Sequence, residues 1–131
     1  GLISDVNEFS LNKNIPYINI GYVMDIGIVG PTVIPGITAC HYCQSFYGTP
    51  TEMLEVETTL MKNINNSHQA PSIGPINMLS SSLGTLEALK FLIGMQIEET
   101  VDKRLGIWTD TLRIQEQKTK KNPDCPICGK K

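Results

Sequence analysis

The chain has 131 residues, 40% of them hydrophobic and 18% charged, enough to bury one ordinary globular core. Its formal net charge of −2 argues against a polyanionic partner such as nucleic acid, and its 6% aromatic content against a stacking platform for single strands. Gly, Pro and Asn interrupt every apolar run before it reaches membrane-spanning length, and the absence of a secretory signal beside four cysteines points to the reducing cytoplasm.

Leu2, Ile3, Val6 and Phe9 lie at helical spacing, so residues 2–13 predict an amphipathic helix. Gly1 is not a methionine and the apolar face begins at once, which predicts a piece of a longer protein. Asn14 and the Ile15-Pro16 step end the helix, because the residue before proline avoids helical dihedrals. "YINIG" (17–21) reads as a short buried strand. "IGIVGPTVIPG" (26–36) reads as a second, with Pro31 and Pro35 confining it to an edge or a bulge.

"TPTEMLEVETTLMKN" predicts a second helix, with Thr49 as cap, Pro50 in the first turn and glutamates favoured by the dipole. A polar loop (63–72) follows and contains His68, read as solvated. "IGPINMLSSSLGTLEALKFLIG" (73–94) is the strongest helical segment. Ile76, Leu79, Leu83, Leu86, Leu89, Leu92 and Ile93 form its apolar stripe, and Gly94 ends it. Ser80, Ser81, Ser82 and Gly84 would allow close packing. "RLGIWTD" and "TLRIQEQK" predict two strands about an Asp110 turn, one face solvated. Lys118, Lys120 and Lys121 read as a solvated connector.

Two C-x-x-C pairs, Cys40/Cys43 and Cys125/Cys128, offer four soft thiolates, the donor set of a tetrahedral zinc site. Four sulfurs leave no open position for water, so the metal is expected to be structural. The long separation of the pairs rules out a compact zinc ribbon and predicts a clasp between the chain's end and its middle. Gly129 is expected to let backbone amides approach the thiolates. Disulfides within the pairs, or a redox C-x-x-C centre, are the alternatives. His41 lies inside the first pair but is not needed as a ligand.

Three segments resemble the adenylyltransferases related to ubiquitin-activating enzymes, the ThiF and MoeB family: "IPYINIGYVMDIGIVGPTVIPGITACHYC", "APSIGPINMLSSSLGTLEALKFLIG" and the closing "DCPICG". "GYVMDI", "GPTVIPG", "KRLGIW" and "CPICG" resemble the branch that modifies a microcin C precursor peptide. The resemblance implies an α/β fold: part of a Rossmann-like activating-enzyme domain, with a mixed sheet, packed helices and a four-cysteine zinc site. Residues 1–131 would be its C-terminal zinc-bearing portion. It implies ATP and Mg2+ for the whole enzyme, a homodimer to which the helix at 73–94 contributes, and a peptide or ubiquitin-like protein C-terminus as substrate.

No Gly-rich phosphate turn occurs here; "GIVG" and "SLGT" do not match it. Asp5 is out of register for the family's metal-binding aspartate. No catalytic residue is assigned, and the chain alone is expected to be inactive. With all four cysteines committed to metal, no thiol remains for a thioester, which favours the peptide-modifying branch. Asp25 of "GYVMDI" is the candidate substrate contact, weighed against a plain turn role. The rival reading is a non-enzymatic, zinc-stabilised interaction module.

Overall fold

A computed structural model describes residues 2–43 and 73–129. The predicted helix from Thr49 and the polar loop with His68 lie outside the described residues. Within them the order is α1 (Leu2–Lys13), β1 (Tyr17–Val23), β2 (Ile26–Val33), α2 (Gly74–Leu92), β3 (Lys103–Trp108) and β4 (Arg113–Lys118). The strands form one antiparallel meander in the order β1-β2-β3-β4. The parallel pairing among the described residues is a single bridge between Thr32 and Val101.

β2 lies between β1 and β3 although it contains Pro31. The ladder explains this. Pairing with β3 stops at Val29↔Leu105, and pairing with β1 shifts register between Ile18 and Ile20. Pro31 therefore sits beyond one ladder and opposite an irregularity in the other, where its missing N–H breaks nothing. Pro35 lies outside the strand.

Asn14 ends α1 with a φ of 56°, a left-handed value that asparagine tolerates. α2 ends in a Schellman pattern: the Gly94 amide donates to Phe91 O at 3.1 Å and the Met95 amide to Lys90 O at 2.8 Å, with Gly94 at φ 76°. The predicted terminating glycine is confirmed, two residues past the helix proper.

The faces of both helices differ from the apolar periodicity. α2 buries Ile76, Ser80, Gly84 and Glu87, while Leu79, Leu86, Leu89, Leu92 and Ile93 are exposed and Leu83 is half-buried. Small residues win because they let the helix backbone lie close on the sheet. A Cβ on Gly84 would fall 2.2 Å from Ile20 Cδ1, and one on Gly27 of β2 would fall 2.7 Å from Ser80 Oγ. α1 likewise buries Asn7 and Ser10 and exposes Leu2, Val6 and Phe9. Ser10 contributes by donating its hydroxyl to Ile15 O.

Glu87 is buried on the inner face of α2. Its Oε2 accepts from Thr100 Oγ1 at 3.0 Å, its Oε1 meets Lys90 Nζ at 2.6 Å, and Thr32 Oγ1 donates to Thr100 Oγ1 at 2.9 Å. This chain of bonds ties α2 to β2 and to the segment entering β3, and it satisfies a carboxylate that burial would otherwise penalise.

Candidate metal centre

Two tight turns build the site. After β2, the Cys43 amide donates to Cys40 O at 3.0 Å and the Cys40 amide approaches Cys43 Sγ at 3.4 Å. At the other end of the chain, Asn122 accepts twice, from the Cys125 amide on its carbonyl at 3.1 Å and from the Asp124 amide on Oδ1 at 2.9 Å. The Gly129 amide then closes the turn onto Cys125 O at 2.9 Å.

The turns meet. Cys40 Sγ lies 3.7 Å from Cys125 Sγ and 3.8 Å from Cys43 Sγ, and Cys43 Sγ lies 3.2 Å from Cys128 Sγ. All four sulfurs fall within 4.8 Å of one another, and none is in a disulfide. Sulfurs on a tetrahedron about 2.3 Å from its centre stand about 3.8 Å apart, a spacing close to that of the Cys40–Cys125 and Cys40–Cys43 pairs, so the four thiols could hold a metal ion such as zinc. Cys40, Cys125 and Cys128 are buried and Cys43 is half-buried. Val33, Leu11, Tyr17 and Ile127 pack around them.

Electrostatics divide the thiols. Burial pushes Cys40 well up, and it raises Cys128 to about 11 with help from its hydrogen bond to Cys43. Burial also acts upward on Cys125, but the amides of Cys128 and Ile127 aimed at its sulfur outweigh it and bring the thiol to about 7. Of these three, Cys125 is the readiest to become a thiolate.

Gly129 has a sharper role than amide access. A Cβ there would lie 2.2 Å from Pro123 O and 2.6 Å from Cys125 N, both main-chain atoms. No other residue fits the turn. His41 stays outside the sulfur cluster; its amide donates to Asn7 Oδ1 at 3.0 Å and its ring stands edge-on to Tyr42. Tyr17 OH reaches the same Asn7 oxygen at 3.1 Å. Asn7, fully buried, therefore fastens α1 to β1 and to the first cysteine turn. Sequence reasoning missed it because a lone asparagine among apolar helix residues carries no periodic signal. Asp102 was missed likewise: Oδ1 accepts from the Ala39 amide at 3.0 Å, and its carbonyl accepts from the Thr119 amide, bracing both approaches to the cysteines.

Asp25 occupies the exposed β1–β2 turn, where its carbonyl accepts from Thr109 Oγ1 at 2.7 Å. Lys121, expected to be solvated, donates to Gly36 O at 2.6 Å and links the tail to the end of β2.

No protein-family model and no curated protein matches the chain. Solved structures do. E. coli MccB with AMPCPP and selenomethionine MccA aligns over 98% of this chain at 34% identity and a TM-score of 0.83. The chain resembles a segment of a ThiF-like adenylyltransferase. It covers 36% of that MccB chain. E. coli MccB with ATP matches over the same 98% and 36%, at 34% identity and a TM-score of 0.81. The microcin C7 biosynthetic enzyme MccB in complex with N-formylated MccA matches at 33% identity and a TM-score of 0.83, over 98% of this chain and 38% of that one. The chain thus spans little more than a third of the MccB structures it matches. No helix among the described residues is long and apolar enough to cross a membrane.

Proposed function

We propose that this chain is the zinc-bearing portion of a peptide adenylyltransferase whose nucleotide-binding portion lies elsewhere in the protein. The observation that carries the reading is the match to MccB along 98% of the chain, in structures that hold ATP or MccA. The reaction is attack by an oxygen of a peptide's terminal carboxylate, or amide, on the α-phosphorus of ATP. The bond to pyrophosphate breaks and the adenylated peptide forms. Magnesium, when bound, offsets charge on the phosphates.

Zinc serves the fold here, because four thiolates fill its coordination sphere. Cys40 and Cys43 hold the end of β2, and Cys125 and Cys128 bring the tail onto it. This fixes Tyr17 and His41 at one end of the sheet. In this reading the substrate is the C-terminus of a precursor peptide or ubiquitin-like protein, the enzyme is a cytoplasmic homodimer, and Asp25 belongs to the rim of the peptide cleft.

The test is peptide-dependent exchange of pyrophosphate into ATP. The whole protein should support exchange, and Asp25→Ala should raise the KM for peptide. The 131-residue chain alone should show no exchange and no ATP binding by calorimetry. Tight ATP binding by the chain alone would overturn the division of labour. Peptide binding by the whole protein without exchange would favour the interaction module.

A further inference from the structure

Bonds outside the sulfur cluster hold the two cysteine turns face to face. Asp102, just before β3, serves both arms. Its Oδ1 accepts from the Ala39 amide at 3.0 Å, one residue ahead of Cys40, and its carbonyl accepts from the Thr119 amide at 2.6 Å, on the way to Cys125. Lys121 Nζ donates to Gly36 O at 2.6 Å and makes a second tie between the same arms. The turns are therefore kept opposed by contacts that no metal ion supplies. The chain has four cysteines, all of them in the cluster, so no other thiol of the chain competes for a sulfur there.

The four sulfurs are not equivalent. Cys40, Cys125 and Cys128 are buried, whereas Cys43 is half-buried. A small oxidant arriving from solvent meets the Cys43 sulfur first. Two thiols stand beside that sulfur: Cys128 Sγ at 3.2 Å, across the gap between the turns, and Cys40 Sγ at 3.8 Å, on its own turn. The nearer one belongs to the other turn. Cys40 Sγ likewise has Cys125 Sγ at 3.7 Å, again across the gap. Proximity thus favours pairing between the turns over pairing within a C-x-x-C motif.

We propose that the cluster is a site of oxidation by hydroperoxides, with Cys43 as the thiol attacked and Cys128 as the thiol that resolves it. The Cys43 sulfur gives an electron pair to one peroxide oxygen, and the O–O bond breaks. The departing oxygen leaves as water, taking the thiol proton or, from the metal-bound set, a proton of solvent. The Cys128 sulfur then attacks the Cys43 sulfenic sulfur, the S–O bond breaks, and a second water leaves. Two sulfurs lose two electrons and the peroxide gains them. A metal ion held by the set loses two of its four donors and is released. The covalent bond replaces it at the same junction, so the tail stays on the end of β2. A second peroxide joins Cys40 to Cys125 in the same way. The proposal uses the cysteine geometry alone and is independent of the adenylation reading.

The probe is hydrogen peroxide, added to the reduced, zinc-loaded chain while a chelating dye follows released zinc. Lys62 and Lys121 place the two cysteine pairs in different tryptic peptides, so a bridge between the turns joins two peptides and a bridge within a pair joins none. Mass spectrometry without reduction should find the joined peptides, with Cys43–Cys128 as the first bond, appearing together with the zinc. Bridges within the pairs as the main product, Cys40–Cys125 as the first bond, or zinc loss with no bridge between the peptides would each overturn the proposal. This mapping uses the unaltered chain and does not depend on a variant folding. Cys128→Ser leaves the Cys43 sulfenic acid unresolved, and dimedone should then label Cys43; labelling of Cys40 or Cys125 in its place overturns the order of attack. The oxidised chain should melt about 10 °C above the reduced, metal-free chain, and a reductant should remove the difference. Equal melting of the two would show that the bond does not replace the metal.

Discussion

Gly84 of α2 rests directly on Ile20 of β1, so closely that a methyl group on Gly84 would sit 2.2 Å from Ile20 Cδ1 and 2.5 Å from Cγ1. The contact sets the distance between helix and sheet. Gly84→Ala should therefore cost about 1–3 kcal/mol in urea unfolding, by overpacking. Ile20→Ala should recover part of that loss when combined with it, since the two changes share one space. Gly21→Ala serves as the control: nothing lies within 4 Å of its added methyl, and its effect should stay within about 0.5 kcal/mol.

Gly129→Ala should damage the metal centre rather than the sheet. The new methyl would strike Pro123 O and Cys125 N, main-chain atoms that move only if the turn opens. Zinc affinity, measured by competition with a chelating dye, should fall about tenfold or more. Retention of full affinity would show that the turn is not set by this glycine.

Glu87→Ala removes the acceptor of Thr100 and the partner of Lys90 at one stroke. As a donor, Thr100 Oγ1 keeps only its longer bond to Ile97 O and Lys90 turns to solvent, so stability should fall by about 1–2 kcal/mol. Glu87→Gln retains one acceptor oxygen and should cost less. Thermal unfolding of the zinc-loaded proteins ranks the pair.

Removal of zinc should change how stability depends on pH. Without metal, Cys128 is held near 11 against an ordinary 9.0, and burial raises Cys40 as well. A thiol raised by folding stabilises below its ordinary value, and that contribution disappears as pH climbs through the folded value. The metal-free chain should thus lose stability between about pH 9 and 11. Cys125 has the opposite sign, but its contribution is already complete above pH 9, because it is lowered to about 7. The zinc-loaded chain should respond at the acid end instead, releasing metal as protons compete for the sulfurs. Melting curves with and without chelator, from about pH 5 to about pH 11, check both signs.

The strands and the cysteine clasp were legible because their signals are local and chemical. β-Branched residues marked β1 and β2, a short polar turn marked β3 and β4, and repeated C-x-x-C spacing marked the four cysteines that cluster. The buried faces of the helices were not legible. Hydrophobic periodicity assumes that bulk goes inward, whereas here closeness to the sheet decides, and Ser80 and Gly84 allow it where Leu79 and Leu86 would not. Asn7 and Asp102 escaped for a related reason: each works through contacts with residues distant in sequence.

The two cysteine turns are separated by 85 positions yet meet at van der Waals range. A ring closed that way pays for its length only logarithmically, about 0.6 kcal/mol for each doubling. The folded elements inside the ring, α2, β3 and β4, hold their places by their own packing, so the closure itself adds only this small length-dependent cost. The four sulfurs thereby draw α2, β3 and β4 into one closed ring that begins at the end of β2 and ends at the tail.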